Sequence, residues 1–287
     1  MLIPPEDNFV ATKLRRHGKP TGIPDAVPSL GVTVSAKARS ERVAYAQARA
    51  RAWGLPYVER LWKTPLNFLV DTAARAFLVF EADGLTLTDG KESLQFHEGM
   101  AHLRLHRFNA GYRDDPLLRV ADLQPGDSVL DCTLGLAVDA RVAARAVGPQ
   151  GRVVGLEKSV PLFALAEEGL TQEPRPDSCG IQVLHADAAT YLADLADGTF
   201  DCVLIDPMFG KPRKASQAFD TLRRFADHAP LTPEMLAHAR RVARRRVVVK
   251  ASRYSTDLKK LGLTPEPCTR TATVLWAKVP ALAAQES

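Results

Sequence analysis

The stretch "LIDPMFGKPRKA", Leu204 to Ala215, ends an apolar run in a carboxylate and a proline, then adds an aromatic ring and three cations. Those residue types suit one kind of chemistry. The lone pair of an exocyclic amine on a nucleobase is delocalised into the ring. Hydrogen bonds from its N–H groups to the Asp206 side chain and the Pro207 carbonyl would localise that pair and aim it, which is catalysis by orientation. Proline fixes φ and projects the strand end into a cleft. Phe209 would stack on the base, worth roughly 1–3 kcal/mol in such sites, and Lys211, Arg213 and Lys214 would hold flanking phosphates. Met208 reads as a core filler.

A nucleophile held this way needs an electrophile beside it, and "DCTLGLAVD" (Asp131 to Asp139) is the candidate loop for its carrier. A dinucleotide fingerprint would place glycines where Thr133 and Ala137 stand, so that backbone could approach a pyrophosphate. Only Gly135 remains. Asp139, opening the next helix, would repel a pyrophosphate and suit a ligand ammonium. The loop favours a zwitterionic, phosphate-free nucleoside, and S-adenosylmethionine fits. Glu157 can accept bonds from both ribose hydroxyls, and Asp187 is placed to receive the adenine amino group. Asp131, Glu157, Asp187 and Asp206 then close four strands on one rim.

The elements that must position them alternate regularly from Asp127 onward. "SVLDCT", "RVVGLE", "IQVLHA", "FDCVLID" and "RVVVKA" read as strands and the segments between them as helices, with "TATVLWAKV" closing the unit. Short Val/Ile/Leu strands between helices predict a parallel, doubly wound Rossmann-like sheet, whose ligands bind beyond the carboxyl ends of the strands. Ahead of it, residues 31–95 predict a small α/β domain, with strands at "VTVSA" and "PYVER", a helix over "RSERVAYAQARARAW" ended by Gly54, and a hairpin around a DG turn. Residues 1–30 hold five prolines without periodicity and read as an extension. The third segment, 96–287, carries the candidate site.

With 287 residues, 46% of them apolar, the chain can bury a sizeable core. Its net charge of +5 leans towards a polyanionic partner. Cys132, Cys179, Cys202 and Cys268 show no metal-ligand spacing, which predicts no cysteine metal site, no disulfide framework and a reducing cytoplasm. No apolar run is long enough for a signal core or a membrane span.

"LDCTLGLAVDA", "VLHADAAT", "IDPMFGKPRKA" and "RRRVVVKASRY" resemble the class I S-adenosylmethionine-dependent methyltransferases, and more narrowly the bacterial RsmJ-type enzymes, which methylate a guanine amine in small-subunit ribosomal RNA. The resemblance runs from about residue 96 to 255. It implies cofactor contacts at Val138 and Asp139, Glu157 and Lys158, Asp187 and Ala188, and Asp206, and substrate roles for Lys250 and Tyr254. A longer N-terminus, the "LGLAVD" turn and Gly210 after the "DPMF" tetrad mark a divergent relative.

Other features admit two readings. His102 and His106 stand four apart but lack a third metal ligand nearby; with Arg104 and Arg107 they predict an RNA-facing helix. "HARRVARRR" (His238 to Arg246) is either an RNA patch or a helix C-terminus whose cations complement the dipole. Trp53, Trp62 and Trp276 read as core or interface anchors. The favoured function is methylation of an exocyclic amine in RNA. Its rivals are a methyltransferase of proteins or small molecules and a non-catalytic RNA-binding protein keeping the fold; an NAD enzyme fits least.

Overall fold

A computed structural model of the chain describes residues 29–61, 64–70, 72–97, 99–171, 177–207 and 217–282. Residues 1–28 of the extension, Trp62, Met208, Phe209, Lys211, Arg213 and Lys214 lie outside the described residues. The chain divides into two units between Phe96 and His97.

The first unit contains β1 (Gly31–Val34), α1 (Ser40–Ala52), α2 (Leu66–Leu69), β2 (Phe77–Phe80), β3 (Leu85–Thr88) and β4 (Ser93–Gln95). Its sheet runs β1-β2-β3-β4, with β1 parallel to β2 and the other pairs antiparallel. The DG turn joins β2 to β3 with Gly84 at φ +145, and α1 stops before Gly54 at φ +66, a backbone that glycine adopts without strain. Trp53 stacks on Phe80 at 5.9 Å and is a core anchor. "PYVER" is not a strand. Tyr57 makes a single parallel bridge to Val32, and the adjoining Pro56 has no N–H to extend the ladder. The three-residue β4 is too short to carry a periodic signal.

The second unit adds α3 (Gly99–Asn109), α4 (Pro116–Ala121), β5 (Ser128–Asp131), α5 (Val138–Val147), β6 (Arg152–Glu157), α6 (Val160–Thr171), β7 (Ile181–His185) and α7 (Ala188–Asp194). It continues through β8 (Phe200–Ile205), α8 (Gln217–Phe225), α9 (Pro233–Val242), β9 (Ala243–Ser252), α10 (Asp257–Lys260) and β10 (Val274–Pro280). The sheet order is β10-β9-β8-β5-β6-β7, parallel except for β10. Its inner strands are apolar on both faces because helices cover both. Leu130, Leu156, Val203 and Val247 pack with Leu192 of α7 and Leu236 of α9, and each such side chain contributes about 1.5–3 kcal/mol by leaving water.

From β5 the chain winds outward through β6 and β7, then returns through α7 to β8 on the other flank of β5. The direction reverses between β5 and β8, and their carboxyl ends therefore open a crevice. Strand β9 is longer than "RVVVKA" suggested, since α9 passes straight into it at Ala243. Among the described residues no helix is long and apolar enough to cross a membrane. Cys132, Cys179 and Cys202 are buried and Cys268 is exposed, all unbridged.

Candidate active site

The loop after β5 is fixed by its own backbone. The Thr133 N–H donates to Asp131 Oδ1 at 3.0 Å, the Leu134 N–H to the Leu156 carbonyl at 2.9 Å, and the Gly135 N–H to Glu157 Oε2 at 2.9 Å. Gly135 has φ +52, with open space where a Cβ would stand. Ala137 holds φ +58 while fully buried, a left-handed conformation that costs a non-glycine residue roughly 1–2 kcal/mol. Gly155 lets the turn sit so low. A Cβ there would lie 2.4 Å from Leu134 Cδ1. Sequence reasoning passed over Gly155, although a glycine inside an apolar strand signals a close approach.

Around this turn lies a cleft lined by Thr133, Gly135, Glu157, Lys158, Asp187 and Asp206 on its polar side, and by Leu156, Leu162, Ile205, Leu231 and Met235 on its apolar side. Ala188 and Pro207 also line it. Asp131, Val138 and Asp139 do not. The buried Glu157 accepts at Oε1 from the Ser159 N–H at 2.8 Å as well as from Gly135. Burial raises its pKa against the pull of those N–H groups. Asp187 caps α7 by accepting from the Thr190 N–H at 3.1 Å, and pairs with Lys158 Nζ at 3.0 Å. The Thr190 bond and then Lys158 hold its pKa below the usual range. Lys158 also meets Asp227 at 3.2 Å.

Beside the cleft runs a chain of alternating charges. Asp206 Oδ2 meets Lys250 Nζ at 2.6 Å, and Lys250 meets Asp139 Oδ2 at 2.9 Å. Asp139 Oδ1 meets Arg104 at 2.5 Å, and Arg104 grips both oxygens of Asp115 at 2.7 and 2.9 Å. Asp115 in turn caps α4. The Lys250 ammonium also lies 5.2 Å from the centre of the Trp276 ring. Burial opposes the charge on Asp139, but Lys250 and Arg104 outweigh it and lower its pKa. Burial raises the pKa of Asp206, and the Asp139 charge adds to this while Lys250 opposes it. Asp131 lies 3% exposed beneath the chain, its pKa pushed up to about 7 by burial and by Asp139 and Asp206.

Several expectations change here. Arg104 faces Asp115 and Asp139 rather than RNA. The Asp139 carboxylate is spent on Arg104 and Lys250 rather than offered to a ligand ammonium. Lys250 is held by two carboxylates, whereas Tyr254 is 62% exposed. On the outer side of α3, Arg107 pairs with Asp114 and lies over the Tyr112 ring.

The arginine run ties elements together. Arg240 donates to the Pro280 carbonyl, and Arg241 to the Leu192 and Leu195 carbonyls at the end of α7 and to Asp197. Arg244 pairs with Asp201, Arg245 with Asp127 and Arg246 with Asp122. These cations act within the fold.

The cleft residues fit S-adenosylmethionine. Acids at three strand ends and a turn with no side chain at Gly135 suit a cationic nucleoside without phosphate. A pyrophosphate would meet Glu157, Asp187 and Asp206 instead, and Lys158 is already committed to two carboxylates.

Residues 61–272 match the family model described as "Putative SAM-dependent methyltransferase". The chain is 33% identical over 238 residues to the uncharacterized protein YpiP of Bacillus subtilis, covering 80% of this chain and 92% of that protein. It is 30% identical over 239 residues to ribosomal RNA small subunit methyltransferase J of Coxiella burnetii, covering 80% and 89%. A solved SAM-dependent methyltransferase from Neisseria gonorrhoeae shares the fold with a TM-score of 0.59 at 20% identity, over 88% of this chain and 96% of that one.

Proposed function

The chain belongs to the SAM-dependent methyltransferase family, and from that premise we propose that it methylates an exocyclic amine of a base in RNA, a guanine of small-subunit ribosomal RNA in the cytoplasm. The observation that carries this reading is the carboxylate of Asp206. It stands at the end of β8, beside the topological crossover, and lines the same cleft as Glu157 and Asp187. The relative named as a ribosomal RNA small subunit methyltransferase supports the choice of substrate.

S-adenosylmethionine, when bound, supplies a methyl group on a cationic sulfur. Glu157 accepts from the ribose hydroxyls, Asp187 from the adenine amino group, and Thr133 and Gly135 shape the floor. Lys158 and Ala188 complete the surroundings. The Asp206 side chain and the Pro207 carbonyl accept the two N–H groups of the target amine and turn its lone pair towards the methyl group. Alignment of this kind accounts for several powers of ten in rate. Phe209 stacks the base, and Lys211, Arg213 and Lys214 hold its phosphates.

Tritiated S-adenosylmethionine, the purified protein and total RNA from cells lacking the gene make the test. Label should enter RNA. Label that enters protein or small molecules but not RNA overturns the reading.

A further inference from the structure

The chain of charges ends on the carboxylate that the proposed reaction depends on. The Lys250 ammonium has two carboxylate acceptors, an aromatic face and a side chain only 20% exposed. Nothing in that arrangement offers the ammonium to a nucleic-acid phosphate. Asp206 gives Oδ2 to Lys250, which leaves Oδ1 without a donor among the described residues.

We propose that Lys250 is a positioning residue for Asp206: it fixes Oδ2 and presents Oδ1 as the acceptor for an amine N–H, while Asp139 and Arg104 hold Lys250 in place. This rests on the reading of Asp206 as the acceptor for the substrate amine, and it replaces direct substrate contact by Lys250.

The chain is stiff because each member is held on two sides. Arg104 is a planar fork engaged with Asp139 and with both oxygens of Asp115, a geometry that fixes direction as well as charge. Asp139 bridges Arg104 and Lys250, so Lys250 cannot swing away without leaving Oδ2 of a carboxylate that is 12% exposed without its cation. The charged groups that act on Asp206 are Lys250 from β9, which touches it, and Asp139 from α5, Arg104 from α3 and Asp131 from β5. Lys250 and Arg104 favour its ionised form. The two acids oppose it.

Two variants should move Asp206 in opposite directions. Lys250→Met removes the cation and should raise the Asp206 pKa by at least about one unit, as loss of a close opposite charge does. Asp139→Asn removes a like charge and should lower it. Carboxyl carbon NMR of labelled protein, with Asp206→Asn to assign the signal, reads both without any substrate. Single-turnover transfer to RNA by Lys250→Met should fall about 10²-fold, its acid limb should move to higher pH, and its affinity for S-adenosylmethionine should stay within about threefold of wild type. A merely structural lysine would lower thermal stability and leave the Asp206 titration where it was. That result overturns the proposal. If Lys250→Met does not fold, Asp139→Asn decides, because an unchanged or raised Asp206 pKa there contradicts the chain. Titrations that move as stated while no RNA accepts methyl groups would uphold the positioning and overturn the substrate reading instead.

Discussion

The Asp206 backbone N–H donates to Thr133 Oγ1 at 2.7 Å, so one hydroxyl joins the loop after β5 to the end of β8. The Thr133 N–H is itself held by Asp131. The distance between the proposed cofactor floor and the proposed acceptor carboxylate is thereby set by one short side chain.

Thr133→Val keeps the shape and removes the acceptor. A partly buried N–H left unpaired costs about 1–3 kcal/mol, and the released strand end should slow methyl transfer by up to about 10²-fold. Thr133→Ser should stay near wild type. Thermal melts and single-turnover rates read both effects, and a valine variant matching wild type in both would show that the tie is dispensable.

Gly155 and Leu134 should behave as a coupled pair. Gly155→Ala forces a methyl group against Leu134 Cδ1, and overpacking of this kind costs about 1–3 kcal/mol. It should also lift the turn and weaken S-adenosylmethionine binding. Leu134→Ala opens the space, so the double variant should lose less stability than the two single losses added together. Denaturant titrations of the four proteins complete the cycle, and simple additivity would contradict the close approach.

Glu157→Ala should weaken S-adenosylmethionine binding at least tenfold, since charge-assisted hydrogen bonds contribute about 1.5–3 kcal/mol each. Part of that loss comes through the turn, because Glu157 also orders the Gly135 N–H. Glu157→Gln, which keeps one carbonyl acceptor, should fall between. Calorimetry that finds wild-type affinity in the alanine variant would remove Glu157 from the site.

Asp131 predicts a pH dependence of stability. Its folded pKa of about 7 lies above the ordinary carboxylate value, so its protonated form is the one the fold prefers. Its contribution is fully present below about pH 4 and is lost as pH rises through about 7, by up to about 1.4 kcal/mol per unit. Asp131→Asn has no charge to bury. Its stability relative to wild type should rise across that window and level off above it. Melts across the range check this, and a difference that does not vary with pH would place the titration elsewhere.

The strands and most helices of the second unit were legible because apolar runs and helical periods are local signals. The acids that end those runs were legible for the same reason, and so were the cleft positions of Glu157, Asp187 and Asp206. The pairings were not. Lys250 lies 111 positions from Asp139 and 44 from Asp206 in the chain, and no local pattern announces that β9 and α5 bring their charges together. Arg104 shows the cost, since a basic helix reads the same whether it faces RNA or a buried carboxylate. The arginines around α9 left two readings open until the carbonyls and acids they bind were visible. Gly155 did carry a signal, a glycine within "RVVGLE", whose partner Leu134 only the fold supplies.

The proposed function is methylation of a base amine in RNA, with Asp206 accepting one amine N–H and the Pro207 carbonyl the other. Mass spectrometry of nucleosides from purified small-subunit ribosomal RNA tests it most directly. The RNA would come from cells with the gene, without it, and without it but carrying either wild type or Asp206→Ala. A guanosine methylated on its exocyclic nitrogen should disappear with the gene, return with wild type, and stay absent with Asp206→Ala. An identical set of modified nucleosides in all four RNAs, or full recovery with Asp206→Ala, would contradict it.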